Sequence, residues 1–419
     1  MSIDSSLLMP ATMLPYGKQD ISEEDIAAVV EVLKSNFITQ GPKVAEFEHA
    51  VAQQCKNNND SKTPYAIATN SATSALHIAC LALKVGQEDI VWTSPISFVA
   101  SANCALYCGA SIDFVDIDIS TGNMSVDALT KKLALAKTTN TLPKVVIPVH
   151  LAGQSCEMRA IKALSKEYNF AVIEDASHAI GGSYQTSKVG SCDYSDITIF
   201  SFHPVKIVTS AEGGMALTCD AELADKMRSL RSHGITNNLE KMNEQSHGPW
   251  YYQQTALGFN YRMTELQAAL GLSQVSRLKA FVTKRNQLAK SYDEAFSHSA
   301  LTCLTPATST YSAYHLYIVL LPKLEQNLQK VKHKAIVSSL RAKNIFAHVH
   351  YIPIHLQPYY QQAICPNTKV ALNFKQGDFP VAEHYYDRAI SLPLYPQLTQ
   401  IEQNYIIHTV LDELNSLGA

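Results

Sequence analysis

Two hydrophobic rhythms alternate along this chain. Between Phe47 and about Gln274, short apolar runs (YAIAT, DIVWTS, SIDFVDID, KVVIPVH, FAVIED, ITIFSF and GMALTC) are separated by segments of helical period. Alternation of this kind predicts a largely parallel sheet covered by helices. Ahead of it, residues 22–33 predict a helix with Ser22 as N-cap and Asp25 three residues on, and Ile26, Val29, Val30 and Leu33 fall on one face. The stretch 264–290 is strongly helical and leads out of the sheet region. Beyond it the apolar runs YHLYIVLL and FAHVHYI flank a helical segment at 332–343, and a helix at 403–414 closes the pattern. The expected division is an N-terminal segment 1–45 whose first dozen residues form a loose extension, a large α/β domain 46–280, and a smaller α+β domain 281–419.

A chain of 419 residues exceeds what one hydrophobic core organises, which supports two domains. With 46% hydrophobic and 17% charged residues, it reads as an ordered globular enzyme. Thirty-four Lys and Arg against 37 Asp and Glu give a net charge of -3, which supplies no global basic field for nucleic acid or an anionic membrane. The nine cysteines are scattered without C-x-x-C spacing, so buried, reduced thiols are expected, with neither a disulfide frame nor a metal site. Cys104 and Cys108 sit in an apolar run that reads as a buried helix. No stretch reaches eighteen consecutive apolar residues and the start lacks a basic leader pattern, which points to a cytoplasmic protein.

In an open parallel sheet, ligands bind beyond the carboxyl ends of the strands. Three such ends carry chemistry: FAVIED ends in Asp175 with Ser177 and His178 following, ITIFSFHPVK ends in Ser201, His203 and Lys206, and the turn after YAIAT holds Asn70, Ser71, Ala72 and Thr73. Each has a plain structural reading as a cap or a solvated side chain. Together they supply what pyridoxal phosphate requires: an amine, a carboxylate for the pyridine nitrogen, and a helix start whose amides cradle a phosphate.

The strings NSATSAL, EDASHAIGG, FSFHPVKIVTSAEGGM and GFNYRMTELQAALGL, in this order, resemble the DegT/StrS family of sugar aminotransferases across nearly the whole chain. The resemblance implies an α/β fold of the aspartate-aminotransferase type (fold type I) and a homodimer with active sites at the subunit interface. Lys206 then carries the cofactor covalently and moves the substrate proton, while Asp175 pairs with the pyridine nitrogen. Ser201, Ala72 and Thr73 match phosphate positions, and Asn260 matches one that reaches the phosphate from the other subunit. Phe98 matches the residue stacked on the cofactor ring, with a core phenylalanine as the competing reading. His178 is expected near the ring hydroxyl. Arg262 is either a carboxylate clamp for the donor or a structural ion-pair partner. Relatives with His in place of this lysine dehydrate sugars, so Lys206 implies transamination.

Within that family PYGKQDISEEDIAAVVEVLKSNFITQGP, TSPISFVASAN, LRSHGI and HVHYIPIHLQPYY are most similar to the C4 aminotransferases of pseudaminic acid biosynthesis. That likeness implies L-glutamate as donor and a UDP-linked 4-keto-6-deoxy-N-acetylhexosamine as acceptor. It implies substrate contacts at Tyr16, at Asn36, Phe37, Ile38 and Thr39, and at His350, Tyr351, Ile352, Pro353 and Tyr360. His348 and His350, two apart in an expected strand, share one face. A metal site built on them and His355 is the weaker reading, because no carboxylate or cysteine joins at ligand spacing. Competing functions are amination of another nucleotide-linked keto sugar, such as a C3-keto hexose or UDP-4-keto-arabinose, an amino-acid aminotransferase, and a cofactor-binding regulator without turnover.

Overall fold

The computed structural model describes residues 8–57, 62–307, 309–362, 364 and 371–415. Cys365 lies outside the described residues, as do the first seven of the expected N-terminal extension. Each of the seven apolar runs becomes a strand: β1 Tyr65–Thr69, β2 Ile90–Thr93, β3 Ser111–Phe114, β4 Val145–Ile147, β5 Ala171–Asp175, β6 Ile197–Ser201 and β7 Gly214–Thr218. They form one sheet in the order β1-β7-β6-β5-β4-β2-β3. Pairing is parallel from β6 through β3, and β7 runs antiparallel to both its neighbours. The fold class is therefore the expected one.

Twelve helices are seen among the described residues: α1 Glu23–Leu33, α2 Pro42–Cys55, α3 Ala72–Ala82, α4 Ala100–Tyr107, α5 Val126–Thr139, α6 Met158–Tyr168, α7 Ala221–Arg231, α8 Glu265–Ser276, α9 Leu278–Phe296, α10 Gln326–Ala342, α11 Pro380–Tyr386 and α12 Gln400–Asn415. Both faces of the sheet are buried, which is why the strands read as continuous apolar runs. In β5, Val172 packs with Trp92, Leu129 and Ile161, whereas Ile173 packs with Ile147, Ile199 and the α3 residues Ala75 and Leu76. In β6, Ile199 shares that second cluster while Phe200 joins Phe47 and Leu217.

A smaller antiparallel sheet follows, in the order β8 Thr302–Cys303, β9 Tyr317–Leu320 and β10 Ala389–Leu392. The run FAHVHYI does not form a strand; it makes an isolated bridge from His348 to Ser391. The helical stretch 264–290 is broken at Arg277 into α8 and α9. Helix α9 crosses position 281: Leu278, Phe281 and Val282 pack with the large sheet's helices, and Leu288, Ala289, Tyr292 and Phe296 pack with β9, β10 and α12. The N-terminal segment docks on the small sheet's side, where Leu14 is buried with Ile345 and exchanges backbone hydrogen bonds with Asn344 and Phe346.

Helix α1 has the expected capping box between Ser22 and Asp25. Its burial is the reverse of the expected one: Asp25 and Val32 are buried, and Ile26, Val30 and Leu33 are exposed. The cause is electrostatic. Gln274 donates to the Asp25 carboxylate at 2.6 Å, and Arg277 binds both Asp25 and Asp20, the latter at 2.8 Å, so the polar side of α1 is drawn onto α8.

Candidate active site

Strand register delivers the chemistry to one sheet edge. Asp175 ends β5 opposite Ile199 of β6, Ser201 ends β6 opposite Gly214, and Gly214 opens β7 opposite Thr69, the last residue of β1. Helix α3 starts three residues after Thr69. The loop from Phe202 to Gly213 carries Lys206. Buried Phe202, Ile207 and Val208 anchor it, with a Phe202 to Gly213 backbone hydrogen bond at its base.

A cavity of about 450 Å³ lies at this edge, and its wall includes Lys206, Asp175, Ser201, Ala72, Thr73 and Phe98. The Asp175 carboxylate is buried and already oriented: Ser101 donates to Oδ2 at 2.5 Å, and the Ser177 hydroxyl donates to Oδ1 at 2.6 Å. Burial pulls the Lys206 amine down from 10.5 to about 8, the Asp175 charge opposing this only in part. That combination makes an amine that is a competent nucleophile and base near neutral pH.

The start of α3 is shaped for an anion. The Ser71 hydroxyl accepts from the Ser74 amide at 3.1 Å, while a helix supplies no internal acceptor for the amides of its first residues, here Ala72 and Thr73. A Cβ on residue 214 would stand 2.4 Å from the Ala72 nitrogen and from the Ser71 carbonyl, so only glycine lets β7 approach this turn.

Histidines line the rest of the wall. His178 is buried, its Nε2 lies 3.1 Å from the Tyr351 hydroxyl, and its Nδ1 has no hydrogen-bond partner. The His315 ring stands 4.4 Å from that of His178, and its Nδ1 is likewise unpartnered. Burial, reinforced by the nearby Lys206 charge, holds His178, His315 and His350 well below the usual histidine range, so the three rings are neutral near pH 7. The Tyr16 ring packs 4.8 Å from His350 and 5.5 Å from His348.

Residues 19–411 match the DegT/DnrJ/EryC1/StrS aminotransferase family. The chain belongs to that family. The spore coat polysaccharide biosynthesis protein SpsC of Bacillus subtilis is 37% identical over 95% of this chain and 96% of that protein. The UDP-4-amino-4,6-dideoxy-N-acetyl-beta-L-altrosamine transaminase of Campylobacter jejuni is 34% identical over 97% of this chain and 98% of that protein. Among solved structures, Helicobacter pylori PseC, an aminotransferase involved in the biosynthesis of pseudoaminic acid, superposes with a TM-score of 0.83 at 33% identity, covering 96% of this chain and all of that one. The Streptococcus pneumoniae protein Spr1654, solved in PLP and PMP forms, gives 0.83 at 28% identity, covering 97% of this chain and 98 to 99% of that one.

Like its family, this enzyme is a pyridoxal-phosphate-dependent sugar aminotransferase. Its residues fit the cofactor on their own geometry: a carboxylate held in place, an amine of lowered pKa, an amide cradle that a Cβ would fill, and an unpartnered His178 nitrogen in the same wall.

Of the family-implied residues, Lys206, Asp175, Ala72, Thr73, Phe98, His178, Ser201, Tyr16, His350 and Tyr351 all line the cavity. Phe98 is 61% exposed, so it is a wall residue and its core reading fails. His348 and His350 both line the cavity, though without a strand. Other expected positions lie elsewhere. Asn36, Phe37, Ile38 and Thr39 form an exposed connection from α1 to α2, pinned where the Ile38 carbonyl accepts from the Glu265 amide. Ile352 is exposed, and Pro353 is buried outside the cavity wall. Tyr360 lies outside this cavity: it is buried, its hydroxyl donates to Asn103 at 2.5 Å, and it lines a separate cavity with Tyr359 and Gln357. Asn260 is exposed and Arg262 half-buried, and neither reaches this chain's own cavity. Sequence reasoning missed His315, Ser97 and Glu212, which line it too. His315 has a signal, a polar residue at the entry of the apolar run that becomes β9, but one histidine beside an apolar run carries no pattern that tells a cavity wall from a packed core.

Proposed function

We propose that the enzyme transfers the amino group of L-glutamate to C4 of a UDP-4-keto-6-deoxy-N-acetylhexosamine, giving UDP-4-amino-4,6-dideoxy-N-acetyl-β-L-altrosamine in the cytoplasm. The observation that carries the chemistry is that Lys206 and Asp175 line the wall of one cavity, with burial drawing the amine down to about 8. Support for the substrate comes from the likeness to the altrosamine transaminase and from Tyr16, His350 and Tyr351, which belong to two of the four strings that carry it and line the same cavity. Bound cofactor supplies an electron-withdrawing ring that stabilises charge on the carbon losing its proton. Asp175, fixed by Ser101 and Ser177, holds a proton on the ring nitrogen. Lys206 anchors the cofactor and, once displaced, takes a proton from one carbon and returns it to another. The Ala72 and Thr73 amides with Ser201 would hold the phosphate, and the unpartnered His178 Nδ1 would be available to the ring hydroxyl.

Completion of this site by a second copy is part of the proposal. Exposed Ile26, Val30, Leu33, Phe37 and Ile38 form an apolar surface, and Asn260 and Arg262 stand clear of their own cavity. A mixture of Lys206→Ala and Asn260→Ala subunits tests it. A hybrid dimer contains one intact site and regains activity that neither parent has, whereas no regain rejects sharing.

The 37% identity to the spore coat protein favours one other reading, amination of a different nucleotide-linked keto sugar such as a C3-keto hexose or UDP-4-keto-arabinose. Parallel turnover assays of these acceptors decide: the 4-keto-6-deoxy-N-acetylhexosamine is expected to have the highest kcat/KM, and its failure to react overturns the C4 assignment.

A further inference from the structure

Helix α9, which packs against both sheets' layers, carries a buried cation with no carboxylate beside it among the described residues. Arg285 is 1% exposed, and burial pulls it down only to about 10, so it stays charged near neutral pH. A buried charge is costly unless hydrogen bonds compensate it. Here backbone does so: Nη1 donates to the carbonyl oxygens of Leu394 at 2.8 Å, Tyr314 at 3.2 Å and His315 at 3.3 Å. Arg285 does not itself line the cofactor cavity.

Both segments it grips lead to that cavity's wall. One carries the His315 ring, and the other passes through Leu394, whose amide donates to the carbonyl of the wall residue Tyr16 at 3.0 Å. The His315 segment is tightly constrained. Tyr314 stands at φ 46°, in the left-handed region that residues other than glycine seldom occupy. Asn286, the next residue on α9, donates to the Ser312 carbonyl at 3.0 Å, and the Ala313 amide donates to the Gly153 carbonyl at 2.9 Å. A Cβ on residue 153 would stand 2.7 Å from the Tyr314 nitrogen and 2.9 Å from the His178 carbonyl oxygen. The backbones that carry the two histidines therefore meet across one glycine, with their rings 4.4 Å apart.

We propose that Arg285 is a positioning residue for the acceptor: through His315 and Tyr16 it sets the part of the cavity wall, on the small sheet's side, that receives the sugar. The chemistry of that wall fits a sugar. His178 and His315 are buried and neutral, and each has an unpartnered Nδ1. Neutral imidazoles suit the hydroxyls of a hexose, whereas the carboxylates of glutamate call for cations. The inference rests on sugar amination itself and not on which keto sugar is accepted.

The test compares the cofactor-loaded parent with Arg285→Lys, which keeps the charge but cannot span three carbonyls, on the nucleotide-linked keto sugar that the parent aminates fastest. The acceptor KM is expected to rise about tenfold, while the glutamate half-reaction changes less than about twofold. The Kd of the amino-sugar product, measured by calorimetry on the pyridoxamine-phosphate-loaded enzyme where no reaction follows, is expected to rise by a similar factor. His315→Ala is expected to raise the same KM about tenfold, and adding Arg285→Lys to it to cost less than about threefold more, because both changes act on one contact. A loss confined to kcat, an unmoved product Kd, or full multiplication of the two effects in the double variant overturns the proposal. An unchanged acceptor KM in His315→Ala overturns it whether or not Arg285→Lys folds.

Discussion

Ser101 on α4 donates its hydroxyl to Oδ2 of Asp175 at 2.5 Å, tying the helix after β2 to the carboxylate at the end of β5. Ser177 holds the other oxygen, so the carboxylate has one orientation before any cofactor arrives. Ser101→Ala leaves only Ser177, whose hydroxyl and amide both donate to Oδ1. By the usual effect of losing an outer partner, it is expected to slow the glutamate half-reaction by roughly tenfold. Asp175→Asn removes the charge itself and is expected to be slower still. Stopped-flow absorbance of the two variants checks the order; equal rates for Ser101→Ala and the parent contradict it.

Lys206 gives a pH prediction with a definite sign. Its folded-state value of about 8 lies below the ordinary 10.5, so between these limits the unfolded chain binds more protons than the folded one. Stability of the cofactor-free protein therefore rises with pH across this window, and below it the amine's burial costs roughly 3 kcal/mol. Cofactor-free Lys206→Met is accordingly expected to be more stable than the parent at pH 7, the difference vanishing by about pH 10.5. Denaturant melts at the two pH values read this directly.

Gly214→Ala is expected to damage cofactor binding specifically. Its Cβ would sit 2.4 Å from backbone atoms of Ser71 and Ala72, and backbone cannot yield as a flexible side chain does. The first turn of α3 must shift, so affinity for the phosphate is expected to fall at least about tenfold, with a stability loss of roughly 2 kcal/mol. Equilibrium titration with cofactor and thermal melts separate the two effects.

The sheet was legible because strands buried on both faces leave continuous apolar runs, as Val172 and Ile173 do by packing into different clusters. The cavity edge was legible because strand ends carry polar residues in order, and Asp175, Ser201 and Lys206 do meet in one cavity wall there. Helix α1 was not: periodicity marks an apolar stripe, but Arg277 and Gln274, some 250 positions away, determine which side is docked. Such pairings depend on the third dimension and leave no local pattern.

The α1 anchor makes its own prediction. Burial raises the Asp25 carboxyl, yet hydrogen bonds involving Ser273, Ser22 and Gln274, with the Arg277 charge, outweigh it and leave the group below its ordinary range. Its stabilising effect is present above the ordinary carboxylate pKa and is lost as pH falls through the lower folded-state value. Arg277→Ala is expected to destabilise the protein by roughly 2–3 kcal/mol, because a buried carboxylate loses its cation. Urea unfolding at pH 7 measures the loss, which should shrink in acid.

The central claim is that Lys206 carries the cofactor and performs the transfer. Borohydride reduction of the loaded enzyme, followed by peptide mass mapping, tests it most directly. A reduced pyridoxyl group is expected on Lys206, and prior incubation with L-glutamate should prevent the labelling while releasing 2-oxoglutarate. A label on another lysine, or transamination surviving in Lys206→Ala, would contradict the mechanism at its first step.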